Sequence, residues 1–121
     1  VVVPVSNIPA LIRGLEQLSQ QYAIPIINFG HAGNGNIHVN LLIDPDDPQQ
    51  MQNASQCLDG VFSLVLSLNG TLSGEHGVGL EKRDFVDREI DPVTLELMRQ
   101  IKQQFDPKGI LNPGKMLPPI D

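Results

Sequence analysis

One stretch constrains the fold of this chain more than any other. Two apolar runs, 24–29 and 36–43, are joined by a glycine- and asparagine-rich turn, with one histidine on each side of it. Both runs have the β-branched and apolar content of β-strands. Gly33-Asn34-Gly35 tolerates the positive φ angles that a tight turn requires. The stretch therefore predicts an antiparallel hairpin with His31 and His38 flanking its turn.

The number of residues in the turn decides where the two histidines point. If that number is even (two residues, or the four from Ala32 to Gly35), His31 pairs with Asn36 across the ladder. Because side chains alternate along a strand, His38 and Asn40 then share the face of His31. An odd number would place the histidines on opposite faces. Two imidazoles on one face suit a first-row metal ion, provided that a third ligand comes from elsewhere.

A second glycine-rich stretch, 69–79, contains the remaining histidine of the chain. It places Glu75 and His76 side by side among glycines. A carboxylate can ligate a metal ion, and an imidazole can ligate one or accept a proton. A lone histidine beside glycine is usually a turn residue, but here every histidine belongs to one of two such clusters. The spacing thus predicts either a metal site or an acid–base site.

At these residues the chain resembles a known family. Segments 29–38, 70–79 and 106–115 are similar, in order, to three signatures of the C-terminal domain of FAD-linked oxidases and dehydrogenases of D-2-hydroxy acids. D-lactate dehydrogenase, glycolate oxidase and D-2-hydroxyglutarate dehydrogenase belong to this family. The resemblance extends from about Val1 to Met116. It implies oxidation of a 2-hydroxy acid to a 2-keto acid by hydride transfer to FAD, with a divalent metal ion, expected to be zinc, and an unidentified electron acceptor.

The resemblance also implies roles for seven residues. The metal ligands match His31, His38 and Glu75, the catalytic base His76, the substrate contact Asn40, and the flavin-contacting tail residues Asn112 and Lys115. One position departs from the family pattern, because Asn34 stands where many members have aspartate. An amide there would remove a carboxylate hydrogen bond to a ligand histidine.

Composition narrows the class of protein. A chain of 121 residues has room for one core, and its net charge of −6 argues against a nucleic-acid partner. No apolar run approaches the roughly 18 residues of a transmembrane helix. The sequence predicts a cytoplasmic protein and leaves peripheral membrane association of the full-length protein open. Cys57 has no partner for an internal disulfide and is expected to be a buried thiol.

The predicted elements follow the order strand, helix, strand, strand, helix. They are a strand at Val1–Val5, a helix capped by Ser6, the hairpin, and a helix over 48–68 capped by Asp47. Residues 71–73 add a short strand. This order predicts an α+β, ferredoxin-like fold with the helices packed on one face of an antiparallel sheet. The other face would be free for a ligand or a partner domain.

The C-terminal part is predicted to contain a short helix over 80–90 and another that begins after Asp91. The second has an apolar stripe that is expected to be buried, formed by Val93, Leu97, Met98, Ile101 and Phe105. From Asp106 onward, prolines predict an extended tail that runs from Ile110 to Asp121.

Two interpretations remain open. In the first, residues 1–121 are the metal and substrate part of a longer oxidase whose N-terminal FAD-binding domain is absent, and the chain alone is inactive. The glycine spacing supports this view, because it does not follow the dinucleotide-binding fingerprint. In the second, the chain is a non-catalytic ferredoxin-like module that uses the same face to bind a metal ion or small ligand, or to form a homodimer.

Overall fold

The computed structural model describes residues 1–119, so the last two residues of the predicted tail lie outside the described residues. The chain divides into a first unit, Val1–Gly74, and a second unit, Glu75–Asp121. The first unit contains helices α1 (Ile8–Tyr22) and α2 (Pro48–Ser67) and strands β1 (Ile26–His31) and β2 (Asn36–Leu41). The second unit contains a 3-10 turn (Arg83–Arg88) and helix α3 (Pro92–Phe105). These elements confirm the predicted α+β class.

Strands β1 and β2 form the predicted antiparallel hairpin. His31 pairs with Asn36 and Phe29 pairs with His38, so the loop is the four residues Ala32–Gly35. The Gly35 N–H donates to the Ala32 carbonyl at 3.1 Å, and Gly35 adopts a left-handed φ of 72°. This register confirms the even loop and the shared face. Both strands are shorter at their outer ends than predicted.

The core of the first unit lies between one face of the hairpin and the two helices. Its fully buried side chains come from α1, α2, β2 and the N-terminal segment; they are Val3, Leu11, Leu15, Ile37, Val61 and Val65. A smaller cluster contains Ile24, Ala54 and Cys57. Cys57 is 0% exposed, which confirms the predicted buried thiol. Because Ile37 points into this core, the residues of opposite parity, including His38, lie on the other face of the hairpin.

Two of the three predicted helix starts are confirmed. The Asp47 carboxylate accepts from two N–H groups in the first turn of α2, and the Asp91 carboxylate does the same in α3. The predicted cap of α1 is wrong, because α1 begins after Asn7 rather than Ser6. The Asn7 side chain instead donates to the Leu68 carbonyl at 2.8 Å.

The predicted strands at Val1–Val5 and 71–73 are wrong as continuous strands. Only Val2 is paired in the first of them, by single bridges to Asn36 and Thr71. Pro4 lacks the N–H that would extend the ladder, and a 3-10 turn follows at Val5–Asn7. The helix predicted over 80–90 is the 3-10 turn at Arg83–Arg88.

Helix α3 forms, but the burial predicted for its stripe is wrong for four of the five residues; only Met98 is half-buried. Val93 and Phe105 are each 80% exposed, and Leu97 and Ile101 are about half exposed. The helix buries Leu95 instead, which is 4% exposed. Apolar periodicity identifies a side of a helix that favours exclusion from water, but it does not identify what covers that side. After Asp106 the described tail contains turns and bends but no helix or strand.

Candidate metal and catalytic site

The hairpin brings two histidines together on one face. The ring centroids of His31 and His38 are 6.2 Å apart, with an interplanar angle of 71°. His31 is exposed and His38 is half-buried. Two imidazoles that share one metal ion have ring centroids about 4.5–5.5 Å apart, because each metal–nitrogen bond is about 2.1 Å and each nitrogen is about 1.1 Å from its ring centre. The two rings would therefore have to approach each other by about 1 Å, a movement within the range of side-chain rotation, to share an ion.

The same face carries apolar side chains beside the imidazoles. The Phe29 ring stacks on the His38 ring with a centroid distance of 5.1 Å and an interplanar angle of 23°. Aromatic pairs of this kind contribute about 0.5–1.5 kcal/mol beyond burial, so Phe29 restrains the orientation of His38. Phe29 is nevertheless 60% exposed, and Ile27 is 51% exposed. The Asn40 amide, opposite Ile27, donates to the Ile27 carbonyl at 3.4 Å.

Phe29 is a site residue that the sequence reasoning missed. The signal was available, because Phe29 has the same strand parity as His31 and faces His38 in the even register. It was overlooked because a phenylalanine in an apolar run is normally assigned to the core.

Glu75 and His76 lie at the start of the second unit. Glu75 Oε1 is 3.5 Å from His76 Nε2, and the two side chains are 45% and 70% exposed, respectively. Gly77 follows with a left-handed φ of 75°, a conformation that side-chain-bearing residues rarely adopt. The backbone therefore turns immediately after His76. A carboxylate and an imidazole this close can act on the same bound group.

The tail is anchored to the segment that follows His76. The Arg83 guanidinium donates to the Gly114 carbonyl at 3.0 Å, and the Met116 N–H donates to the Gly79 carbonyl at 3.0 Å. Lys115 lies between these two anchors, so the backbone on both sides of it is hydrogen-bonded. Asn112 lies two residues before Gly114 and has a left-handed φ of 48°.

A partly buried cation that the sequence analysis overlooked, Lys82, belongs to this same segment. Burial lowers the pKa of the Lys82 ammonium, because desolvation disfavours the charged form. The lysine directly precedes Arg83, the residue that anchors the tail.

The seven predicted site residues are divided between the two units. The first unit brings His31, His38 and Asn40 onto one face of the hairpin. The second unit contains Glu75, His76, Asn112 and Lys115.

Among the described residues, no helix is both long and apolar enough to cross a lipid bilayer.

Comparison with known proteins identifies the family. The family model for the C-terminal domain of FAD-linked oxidases matches residues 1–116. The glycolate oxidase subunit GlcD of Bacillus subtilis is 36% identical over 114 residues, covering 94% of this chain and 24% of the relative. D-lactate dehydrogenase of Archaeoglobus fulgidus is 42% identical over 115 residues, covering 95% and 25%.

A third relative is named for a different substrate. D-2-hydroxyglutarate dehydrogenase of Stutzerimonas stutzeri is 37% identical over 119 residues, covering 94% of this chain and 25% of the relative. The chain thus spans about a quarter of the length of the relatives it matches. It belongs to the family of FAD-linked oxidases, in which it corresponds to the C-terminal domain.

Proposed function

We propose that this chain is the metal- and substrate-binding part of a flavin-dependent oxidoreductase that converts a D-2-hydroxy acid to a 2-keto acid. The paired histidines on the exposed face of the hairpin are the observation that carries the proposal. The relatives add support, since glycolate, D-lactate and D-2-hydroxyglutarate are all 2-hydroxy acids. A separate flavin-binding domain in the same polypeptide would supply the oxidant.

In this proposal His31, His38 and Glu75 hold a divalent metal ion. Two neutral imidazoles and one carboxylate form the donor set of many catalytic zinc sites, which leave one position open. The spacing of the two imidazole rings in the hairpin is compatible with such an ion. When bound, the ion supplies Lewis acidity that makes the substrate hydroxyl easier to deprotonate.

His76 acts as the general base. Its imidazole would accept the proton of the 2-hydroxyl group, and a bound flavin would supply the two-electron oxidant that takes the hydride from C2. The substrate loses one proton and one hydride in total, and a carbonyl forms at C2. An imidazole suits this role because it exchanges protons near neutral pH. The nearby Glu75 carboxylate helps to hold the ring in place.

Two further groups position the substrate and the flavin. Asn40 would donate a hydrogen bond from its amide to a substrate oxygen, in exchange for its long contact with the Ile27 carbonyl. Asn112 and Lys115 would approach the flavin from the anchored tail. The main flavin site would lie outside residues 1–119, because the glycines of those residues do not follow the dinucleotide-binding fingerprint.

Zinc titration of the 121-residue chain tests the metal site without requiring activity. The wild-type chain should bind one equivalent of zinc, and His31→Ala and His38→Ala should each weaken binding by at least about tenfold, since each removes a ligand. His76→Ala is the matched control, because it removes the third histidine of the chain but no proposed ligand.

The outcomes separate the metal site from the alternative assignments. Equal zinc affinity in all three alanine variants would contradict a histidine-based site. If His76→Ala alone lost zinc, His76 would be a metal ligand, and His31 and His38 would not be. Zinc binding alone does not distinguish an enzyme from a non-catalytic binding module. If the chain were such a module, no D-2-hydroxy acid would reduce a flavin in the full-length protein that contains it.

A further inference from the structure

The face of the hairpin that carries the histidines continues into a strip of exposed apolar side chains. Ile27 is 51% exposed, Phe29 is 60% exposed and Leu42 is 48% exposed. The register pairs Phe29 with His38 and Ile27 with Asn40. Side chains of directly paired residues lie on the same face of a sheet, so Ile27 and Phe29 share the face of His38. We call Ile27, Phe29 and Leu42 the hairpin strip.

Leu42 belongs to this face although β2 ends at Leu41. The Leu42 N–H donates to the Pro25 carbonyl at 2.9 Å, so the ladder continues for one pair beyond the strand. Leu41 packs against the core cluster that contains Ile24 and Cys57. Because neighbouring side chains in a strand point to opposite faces, Leu42 points away from that core, as Ile27 does.

The hairpin strip lies in a stretch without fixed charge. Residues 24–43 contain no aspartate, glutamate, lysine or arginine. Arg13, on α1, is the one lysine or arginine of the first unit, and α1 packs on the core face of the hairpin through Leu11 and Leu15. The first unit therefore offers apolar contact along the strip and no cation to pair with a bound carboxylate. Desolvating a carboxylate without such a partner is strongly unfavourable.

The strip begins where the proposed function places the reacting end of a 2-hydroxy acid. Its hydroxyl and carboxylate oxygens would be held near His31, His38 and Asn40, so the substituent on C2 is the group left to contact the neighbouring side chains. The pair of Ile27 and Asn40 lies about 7 Å along the strands from the pair of Phe29 and His38, since each residue rises about 3.4 Å. A chain of about four carbons covers most of that spacing.

We propose that the hairpin strip binds the C2 substituent of the substrate, and that Ile27 selects monocarboxylic D-2-hydroxy acids with a straight apolar substituent over dicarboxylic ones. This inference rests on the proposed function and names its substrate class. The relatives are named for glycolate, D-lactate and D-2-hydroxyglutarate, which carry no substituent, a methyl group and a second carboxylate, respectively. An apolar strip favours the methyl group and its longer homologues.

The size of the strip also suits a small ligand. Its three side chains expose on the order of 300 Å², whereas a stable complex of separate proteins buries about 800 Å² per partner. The strip is continuous with the two histidines through the stacking of Phe29 on His38. A ligand held by the histidines would therefore contact the strip without any further binding step.

A series of substrates tests the proposal in the full-length protein. Flavin reduction would be followed anaerobically with D-lactate, D-2-hydroxybutyrate, D-2-hydroxyhexanoate and D-2-hydroxyglutarate, and its concentration dependence separates the apparent Kd from the limiting rate. Each methylene moved from water onto an apolar surface contributes about a fourfold gain in affinity. We expect the ratio of limiting rate to Kd to rise at least about tenfold from D-lactate to D-2-hydroxyhexanoate, mainly through Kd. D-2-hydroxyglutarate should fall at least about tenfold below D-2-hydroxyhexanoate.

Variants of Ile27 test its role in this selection. Ile27→Lys adds a cation to the strip and should raise the preference for D-2-hydroxyglutarate over D-2-hydroxyhexanoate by at least about tenfold. Ile27→Ala should reduce the advantage of D-2-hydroxyhexanoate over D-lactate severalfold. Met51→Lys is the matched control, because Met51 is 44% exposed and lies on α2, which packs on the core face. It adds the same charge and should leave both preferences unchanged.

Every outcome supports or overturns the proposal. A wild-type preference for D-2-hydroxyglutarate, or an unchanged preference in Ile27→Lys, would overturn it while leaving the proposed function intact. If no hydroxy acid reduced the flavin, the proposed function would fail, and calorimetry with 2-ketohexanoate and 2-ketoglutarate would still test the strip; equal affinities would overturn it. A melting temperature lowered by Ile27→Lys only in the full-length protein would assign the strip to a contact between domains and would also overturn it.

Discussion

Replacing Gly30 with alanine should destabilise the hairpin that carries the two histidines. Gly30 pairs with Ile37 across the ladder. A Cβ at position 30 would overlap the Asn36 carbonyl oxygen and lie 3.0 Å from Ile37 Cα. Both obstacles are backbone atoms of the neighbouring strand, so the strands themselves must separate. Overpacking of this kind costs about 1–3 kcal/mol, and we expect the upper half of that range because no side chain can move aside.

The expected change in melting temperature follows from the size of the chain. Unfolding entropies near 2.1 cal/mol/K per residue give about 0.25 kcal/mol/K for 121 residues, so a loss of 2–3 kcal/mol lowers the melting temperature by about 8–12 °C. Gly33→Ala is the matched control, because no heavy atom lies within 4 Å of a Cβ at that position. It should change the melting temperature by no more than about 2 °C. Thermal unfolding followed by circular dichroism measures both, and equal melting temperatures for the two variants would refute the packing argument.

Three further predictions concern single side chains. Asp47→Ala removes the N-cap of α2 and should lower the free energy of unfolding by about 1 kcal/mol in urea titrations, whereas Asp47→Asn should keep most of it. The hydrogen bond from Lys102 lowers the pKa of Asp106, so the ionised carboxylate stabilises the fold above about pH 4, and this contribution is lost as the pH falls through the folded-state pKa. In urea titrations across this range, the free energy of unfolding should fall less steeply with decreasing pH in Asp106→Asn than in the wild type. Phe29→Leu removes the ring stacked on His38 and should weaken zinc binding severalfold in calorimetry while Ile27→Leu leaves it unchanged.

Local rules predicted the hairpin and two of the three helix caps. The alternation of side chains and an even turn were enough to place His31 opposite Asn36. Aspartate before proline was enough to locate the first turns of α2 and α3. These features depend on residues that are close in sequence, and their geometry is set by backbone sterics and short-range hydrogen bonds.

Some errors arose from a local interruption of an element, and others arose where residues distant in sequence decide the outcome. The β-branched run at the N-terminus has strand propensity, yet Pro4 interrupts its ladder and leaves single bridges at Val2. The row from Val93 to Phe105 has the pattern of a buried stripe, but nothing in its sequence says what covers it. The stacking of Phe29 on His38 follows from the even register, but a phenylalanine in an apolar run is normally assigned to the core.

Anaerobic flavin reduction would test whether a full-length protein containing this chain oxidises D-2-hydroxy acids with His76 as the base. The full-length protein would be mixed rapidly with glycolate, D-lactate, D-2-hydroxyglutarate or the L-enantiomers of the last two, and the bleaching of its flavin absorbance would be followed. We expect bleaching by at least one of glycolate and the two D-acids but not by the L-enantiomers. We also expect His76→Ala to slow bleaching by about 10²–10⁴-fold with its metal content unchanged, the range expected for loss of a general base. Wild-type rates in His76→Ala would exclude His76 as the base, and a wild-type flavin that none of these acids reduces would exclude the proposed activity.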